Sequence, residues 1–208
     1  MKKQWIILTS LMVLVGLYFG GSYLYKNADH RVADEKTSAL MRPHAFIIGN
    51  PDAKTTIVEF FDPACGTCKS FYPFVKEILK QHPEKLKLAL RYAPFHKDSY
   101  YVVAMIEASR LQGKYLETLE IIYKYQEKWV SNHTPNIALI WAFLPEAGVD
   151  IERLKNDMKK PEIDAIIKQD IADTQTLGVR ATPEFFVNGK PLITFGRKEL
   201  QALIASEL

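Results

Sequence analysis

Cys65 and Cys68 are the only cysteines of the chain, and they bracket Gly66-Thr67 just after the apolar pair Phe60-Phe61. Thiols at this spacing can serve a metal site, a structural disulfide or a redox couple. Structural zinc takes about four ligands, and His44, His82 and His96 are scattered along the sequence rather than grouped with the cysteines. A disulfide across two residues closes a very short loop and restrains the unfolded chain little. A redox couple is the reading that C-x-x-C beside a βαβ pattern supports best. Two others stay open. The first is an exported dithiol carrier of Cu(I), a soft metal that suits thiolates, although no Met or His cluster surrounds the motif. The second is a chaperone-like module whose groove binds unfolded chains and whose cysteines are incidental.

The elements around the pair set its asymmetry. Residues 55–62, TTIVEFFD, are rich in β-branched and aromatic side chains and read as a buried strand. Residues 68–82 carry Phe71, Val75, Ile78 and Leu79 at helical spacing. Residues 85–95 alternate as a second strand with Leu86, Leu88 and Leu90 on one side. The cysteines therefore fall where a strand hands over to a helix. Free amides and the helix dipole at that point favour a thiolate on Cys65. Cys68, one turn inside, is the more sheltered thiol and the one that resolves a mixed disulfide.

Three further residues bear on the pair. Glu59 interrupts the apolar run Ile57, Val58, Phe60, Phe61 six positions before Cys65. Buried there, its carboxyl would titrate high and accept the Cys68 proton; on an edge strand it would simply face water. Thr182-Pro183 stands directly before a strand, where proline is unwelcome. A cis bond would fit, but the sequence does not assign one. Pro73 lies inside the cysteine helix and is expected to bend it.

The rest of the chain divides by pattern. Residues 98–177 read as five helical segments, the first with Ser99 as a candidate cap and the third, 135–148, running from Pro135 to Gly148. Residues 184–195 hold two apolar runs around Asn188-Gly189, a hairpin signal, and 197–208 close as a helix. An α/β fold interrupted by a helical insertion at about 98–177 explains this order, because the hairpin needs a sheet to join.

The net charge of +3 is carried by Lys2, Lys3 and Lys26, so residues 27–208 sum to zero and offer no basic surface for nucleic acid. Trp5 to Tyr25 is a run of 21 residues without a charge. As a helix it would cross about 30 Å of hydrocarbon. It is longer than a cleavable leader's usual apolar core, and no A-x-A site follows it. We read residues 1–26 as a retained signal anchor in the lipid bilayer, 27–44 as a linker and 45–208 as one exported domain in a disulfide-permissive compartment.

Cys65-Gly66-Thr67-Cys68, Glu59 before it, Pro73 after it and GVRATPEFFVNG at 178–189 resemble, in that order, the thioredoxin superfamily and its DsbA-like branch of exported thiol–disulfide oxidoreductases. The resemblance covers about residues 45–208. It implies a thioredoxin fold with the helical block inserted where the pattern places it. It further implies that Cys65 is the nucleophile, Cys68 the resolving thiol and Glu59 the proton acceptor, with Pro183 cis and Thr182 offering backbone groups to an extended substrate. No bound cofactor or metal is needed, since the cysteines carry the electrons. Exported protein substrates and a membrane redox partner that resets the couple are implied, at the periplasmic or extracytoplasmic side of a bacterial inner membrane. The Gly-Thr dipeptide departs from the Pro-His that DsbA-type oxidases usually carry. It supplies no charge to the thiolate, so the direction of electron flow stays open.

Overall fold

A computed structural model describes residues 33–131 and 134–208. The signal anchor, residues 1–26, and the first part of the linker lie outside the described residues. Among the described residues no helix is long and apolar enough to cross a membrane. Residues 33–40 are helical, and a compact unit spans Ala39–Leu208.

That unit is built on a five-stranded sheet in the order β1-β3-β2-β6-β7. β1 (Phe46–Gly49) is followed by β2 (Thr55–Phe61), α1 (Gly66–Gln81) and β3 (Leu86–Tyr92). β2 and β3 pair in parallel, from Thr55 opposite Leu86 to Phe61 opposite Tyr92. β1 joins the outer side of β3 antiparallel. Nothing in the sequence pattern announces it, because four residues without alternation carry no period. β6 (Glu184–Val187) pairs antiparallel with β2, which makes β2 the central strand.

Between β3 and β6 run α2 (Ser99–Arg110), α3 (Tyr115–Lys124), the short α4 (Gln126–Trp129), α5 (Ile151–Asp157) and α6 (Pro161–Leu177). Three details differ from the sequence reading. Residues 135–148 form two 3-10 segments, Ile137–Ala142 and Leu144–Ala147, instead of one α-helix. Pro145 lacks the amide a continuous helix would use there, and Pro135 pairs with Val130 in a two-residue ladder of β4 (Val130–Ser131) and β5 (Thr134–Pro135). Ser99 does not cap α2; its hydroxyl donates to Asp62 instead. The second arm of the hairpin, β7 (Lys190–Pro191), stops at Pro191, and Ile193 beyond it is 87% exposed. The turn has the left-handed pair expected of Asn-Gly, Asn188 at φ 47° and Gly189 at φ 85°. α7 (Arg197–Ala205) closes the chain.

The core lies mainly on one face of the sheet. Ile57, Phe61, Leu86, Leu88, Leu90 and Phe185 pack there with Val75 and Ile78 of α1 and with the buried sides of α2, α3 and α7. The opposite face is smaller: Val58, Phe60, Ala89 and Phe186, with Leu177 at the end of α6. Alternation along β2 therefore sends Ile57, Glu59 and Phe61 to the α1 face. α1 itself is unbroken through Pro73.

Candidate active site

β2 ends at Phe61 and α1 begins at Gly66, so a four-residue turn, Asp62 to Cys65, delivers the motif. Cys65 is the N-cap residue of α1, in extended conformation, with no acidic residue in the helix's first turn. Its sulfur meets the positive end of the helix. The two cysteines are free thiols. Cys65 retains 8% exposure and Cys68 none, so a substrate sulfur can reach only the first of them.

The surroundings push the two thiols apart. Cys65 is lowered to about 5, above all by the hydrogen bond from the Cys68 thiol, and further by the Thr182 side chain and the amides of Cys68 and Thr67, against the cost of burial. In its thiol form Cys65 Sγ lies 3.2 Å from the Thr182 carbonyl oxygen, to which it donates. The Thr182–Pro183 bond is cis. Cys68 is pushed well up by burial, by the hydrogen bond it gives Cys65, and by the charges of Glu59 and Cys65.

Glu59 sits on the central strand, opposite Leu90 on one side and Phe185 on the other. It is 1% exposed, and its Oε2 has no hydrogen-bond partner among the described residues. The edge-strand alternative is thereby removed. Burial, and then the charge on Cys65, push its carboxyl up to about 8. A carboxyl that titrates near neutrality behind a buried thiol is a group able to exchange a proton with it.

Pattern reasoning missed several residues here. Asp62 is buried and accepts from the Ala64 amide at 2.8 Å, the His96 amide at 2.8 Å, His96 Nδ1 at 2.9 Å and the Ser99 hydroxyl at 2.5 Å. An acid directly after a buried apolar strand was the available signal. Gln126 of α4 is also buried; its Nε2 donates to the carbonyls of Pro63 at 2.9 Å and Cys65 at 3.0 Å. No local pattern marks such a glutamine. Tyr123 of α3 stays protonated because it is buried and faces the charges of Cys68, Glu59 and Cys65. Of the histidines, His96 borders the turn through Asp62, whereas His44 lies against Asp170 of α6, Nε2 to Oδ1 2.5 Å.

A cleft of about 490 Å³ runs from Lys69 along α1 and α3, lined also by Tyr72, Lys76, Glu120 and Tyr123. Its four lysines are paired, Lys69 with Glu127, Lys76 with Glu120, Lys80 with Glu77 and Lys124 with Glu146, so it carries little net charge. Among the described residues no group of three or more His, Cys, Asp or Glu is placed to hold a metal ion.

Residues 42–206 match the protein family described as Thioredoxin. A probable disulfide bond formation protein D of Bacillus cereus is 30% identical over 152 residues, covering 68% of this chain and 69% of that protein. The Na(+)/H(+) antiporter NhaA of Herminiimonas arsenicoxydans is 27% identical over 146 residues, which is 70% of this chain but only 22% of the antiporter. Among solved structures, a thioredoxin-like oxidoreductase from Silicibacter pomeroyi superposes with a TM-score of 0.71 at 29% identity, covering 81% of this chain and 95% of that one.

Proposed function

The chain belongs to the thioredoxin superfamily, in its DsbA-like branch of thiol–disulfide oxidoreductases, and from that premise we propose that it oxidises thiols of exported proteins through Cys65 and Cys68. The observation that carries this reading is the opposed setting of the two sulfurs, with Cys65 near 5 and Cys68 far above its ordinary value. A stabilised Cys65 thiolate stabilises the dithiol form, and a couple whose reduced form is stabilised draws electrons from substrates.

A substrate thiolate attacks Sγ of Cys65 in the Cys65–Cys68 disulfide; the S–S bond breaks and its electron pair goes to Cys68. Glu59, protonated with its pKa near 8, supplies the proton that the buried Cys68 thiolate needs. A second substrate thiolate then attacks the substrate sulfur of the mixed disulfide, and Cys65 leaves as a thiolate. A low-pKa leaving group departs fast. The substrate ends with a disulfide, the enzyme with a dithiol, and a membrane redox partner takes the two electrons. Thr182 and cis Pro183, beside Cys65, offer backbone groups to an extended substrate segment in the manner of an added strand.

Residues 1–26 serve in this reading as a single-pass anchor in a bacterial inner membrane, with 27–44 as a tether and the domain from 45 on, helical insertion included, facing the periplasm or exterior. Cys68→Ala in the full chain tests the function. It leaves Cys65 as a thiolate that attacks a disulfide of an exported protein and releases one of that protein's sulfurs as a thiol; with the resolving sulfur gone, the disulfide-linked adducts accumulate through Cys65 and disappear under reductant. If no adduct forms and the wild-type chain instead purifies with stoichiometric copper, the soft-metal carrier replaces this reading.

A further inference from the structure

The turn that presents Cys65 is held from behind by one carboxylate. Asp62 Oδ1 accepts from Ala64 N and from the Ser99 hydroxyl; Oδ2 accepts from His96 N and His96 Nδ1. Of these donors, Ala64 N lies inside the Asp62–Cys65 turn and folds it onto itself, together with the Cys65 amide, which donates to the Asp62 carbonyl at 3.0 Å. The other three come from the segment that joins β3 to α2: two from His96 and one from Ser99, the first residue of α2. That segment is shaped for the purpose: Asp98, between His96 and Ser99, takes φ 61°, and Asn188 is the only other non-glycine residue at positive φ among the described residues. Further anchorage comes from the Ala93 amide, which donates to the Phe61 carbonyl at 2.8 Å.

The held residue borders the reacting pair: its carbonyl accepts the Cys65 amide at 3.0 Å. Hydrogen bonding by its own backbone amide pulls the Cys68 thiol down, against burial, Cys65 and Glu59, which push it up. An N–H that must meet a sulfur at the moment charge arrives works only if its peptide plane is fixed beforehand. Four hydrogen bonds to the side chain of the same residue fix it.

We infer that the Asp62 side chain is a positioning device, clasped by His96 and Ser99, which aims the Asp62 amide at Cys68 and so assists that sulfur as the leaving group when a thiolate attacks Cys65. This rests on the dithiol reading of the site and adds a group to it. As the bond from the incoming sulfur to Cys65 Sγ forms and the Cys65–Cys68 bond breaks, the electron pair arriving on Cys68 is met by this amide before Glu59 delivers its proton. The same amide assists the reverse step, in which Cys68 attacks as a thiolate. Its loss therefore changes rates in both directions and leaves the equilibrium between disulfide and dithiol nearly where it was.

The test is the rate at which glutathione reduces the Cys65–Cys68 disulfide in the full chain, set beside the pH profile of Cys65 alkylation in the dithiol form. Asp62→Asn presents an NH₂ to donors and opens the clasp. It is expected to slow reduction about fivefold to tenfold, with the alkylation midpoint and the equilibrium constant with glutathione unchanged. Ser99→Ala removes one donor only and is expected to slow reduction about twofold to threefold; it decides the matter if Asp62→Asn does not fold. A reduction rate within experimental error of wild type in the folded variant overturns the inference. So does a slowing matched by an equal shift of the alkylation midpoint, since that would report general damage to the motif. If the wild-type chain forms no glutathione-reducible disulfide, the redox reading itself fails, and that outcome is distinct because it needs no variant to reveal it.

Discussion

The sulfur of Cys65 lies 3.2 Å from the carbonyl oxygen of Thr182, which joins the start of α1 to the cis-proline turn across 117 residues of chain. The Thr182 side chain also lowers Cys65, as a donor to its thiolate. Thr182→Val keeps the shape and deletes the donor. Cys65 is expected to rise by about one unit and the reduction potential to fall by about 30 mV, the equivalent of that shift for a two-electron couple. Alkylation against pH and equilibration with glutathione measure the two. A variant whose thiol titrates as the wild type does would show that the hydroxyl contributes nothing.

The wild-type potential follows from the same thiolate. Thioredoxin sits at about −270 mV with a thiol near 7. Cys65 near 5 stabilises the dithiol form at pH 7 by about 2 kcal/mol more, which raises the potential by about 50 mV. A value at or above about −220 mV is expected. The sign of the pH dependence is fixed as well. A depressed folded pKa contributes stability that is fully present above the ordinary thiol value of about 9 and lost as pH falls through 5. The dithiol form should thus lose its advantage over the disulfide form as pH drops across that window. A potential at or below about −270 mV would reverse the proposed direction of electron flow.

Glu59 works with the opposite sign. Its folded pKa of about 8 stands above the ordinary 4.5, so its contribution is fully present below 4.5 and is lost as pH rises through 8. Glu59→Gln removes that loss. In urea unfolding the variant should gain on the wild type between pH 4 and pH 8 by a few kcal/mol. Its thiol exchange should slow about tenfold, as expected when a positioned proton donor is removed. A variant with unchanged exchange kinetics would leave Glu59 a buried acid without a part in the reaction.

Much of this was legible because the relevant signals are local. The pair Cys65-Cys68 at a strand-to-helix junction, Glu59 interrupting an apolar strand, and Asn188-Gly189 at a hairpin are each written within a few consecutive residues. β1 was not, since its four residues acquire a strand's identity only from pairing with β3. Residues 135–148 misled for a related reason: Pro and Gly at the two ends suit a helix, yet Pro145 inside splits it into two 3-10 pieces. The clasp on Asp62 and the two hydrogen bonds from Gln126 are long-range polar contacts, and no periodicity encodes a partner 34 or 61 residues away. The same holds for the buried charges behind the sheet.

Those charges hold α6 against the sheet. Arg91 of β3 is wholly buried, and its guanidinium donates to Asp170 Oδ1 at 2.7 Å and Asp173 Oδ2 at 2.6 Å, both on α6. Asp170 Oδ2 in turn accepts the Tyr92 amide at 2.7 Å, and Arg42 reaches Asp173 Oδ1 at 2.6 Å. The cluster fastens the last helix before β6 to the strand beside β2, on the sheet face away from the cysteines. Breaking such a cluster by removing one partner costs about 3–5 kcal/mol, because two buried carboxylates lose the cation they share and only Arg42 and His44 at the margin remain beside them. Arg91→Met should therefore lower stability by about that amount in urea unfolding. The cysteines pack on the other face of the sheet, with Ile57 and Phe61, so Cys65 alkylation in the folded fraction should keep its midpoint near 5. A displaced midpoint would mean that α6 transmits its docking to the motif, and that stability and thiol chemistry are coupled through β3 rather than separated by the sheet.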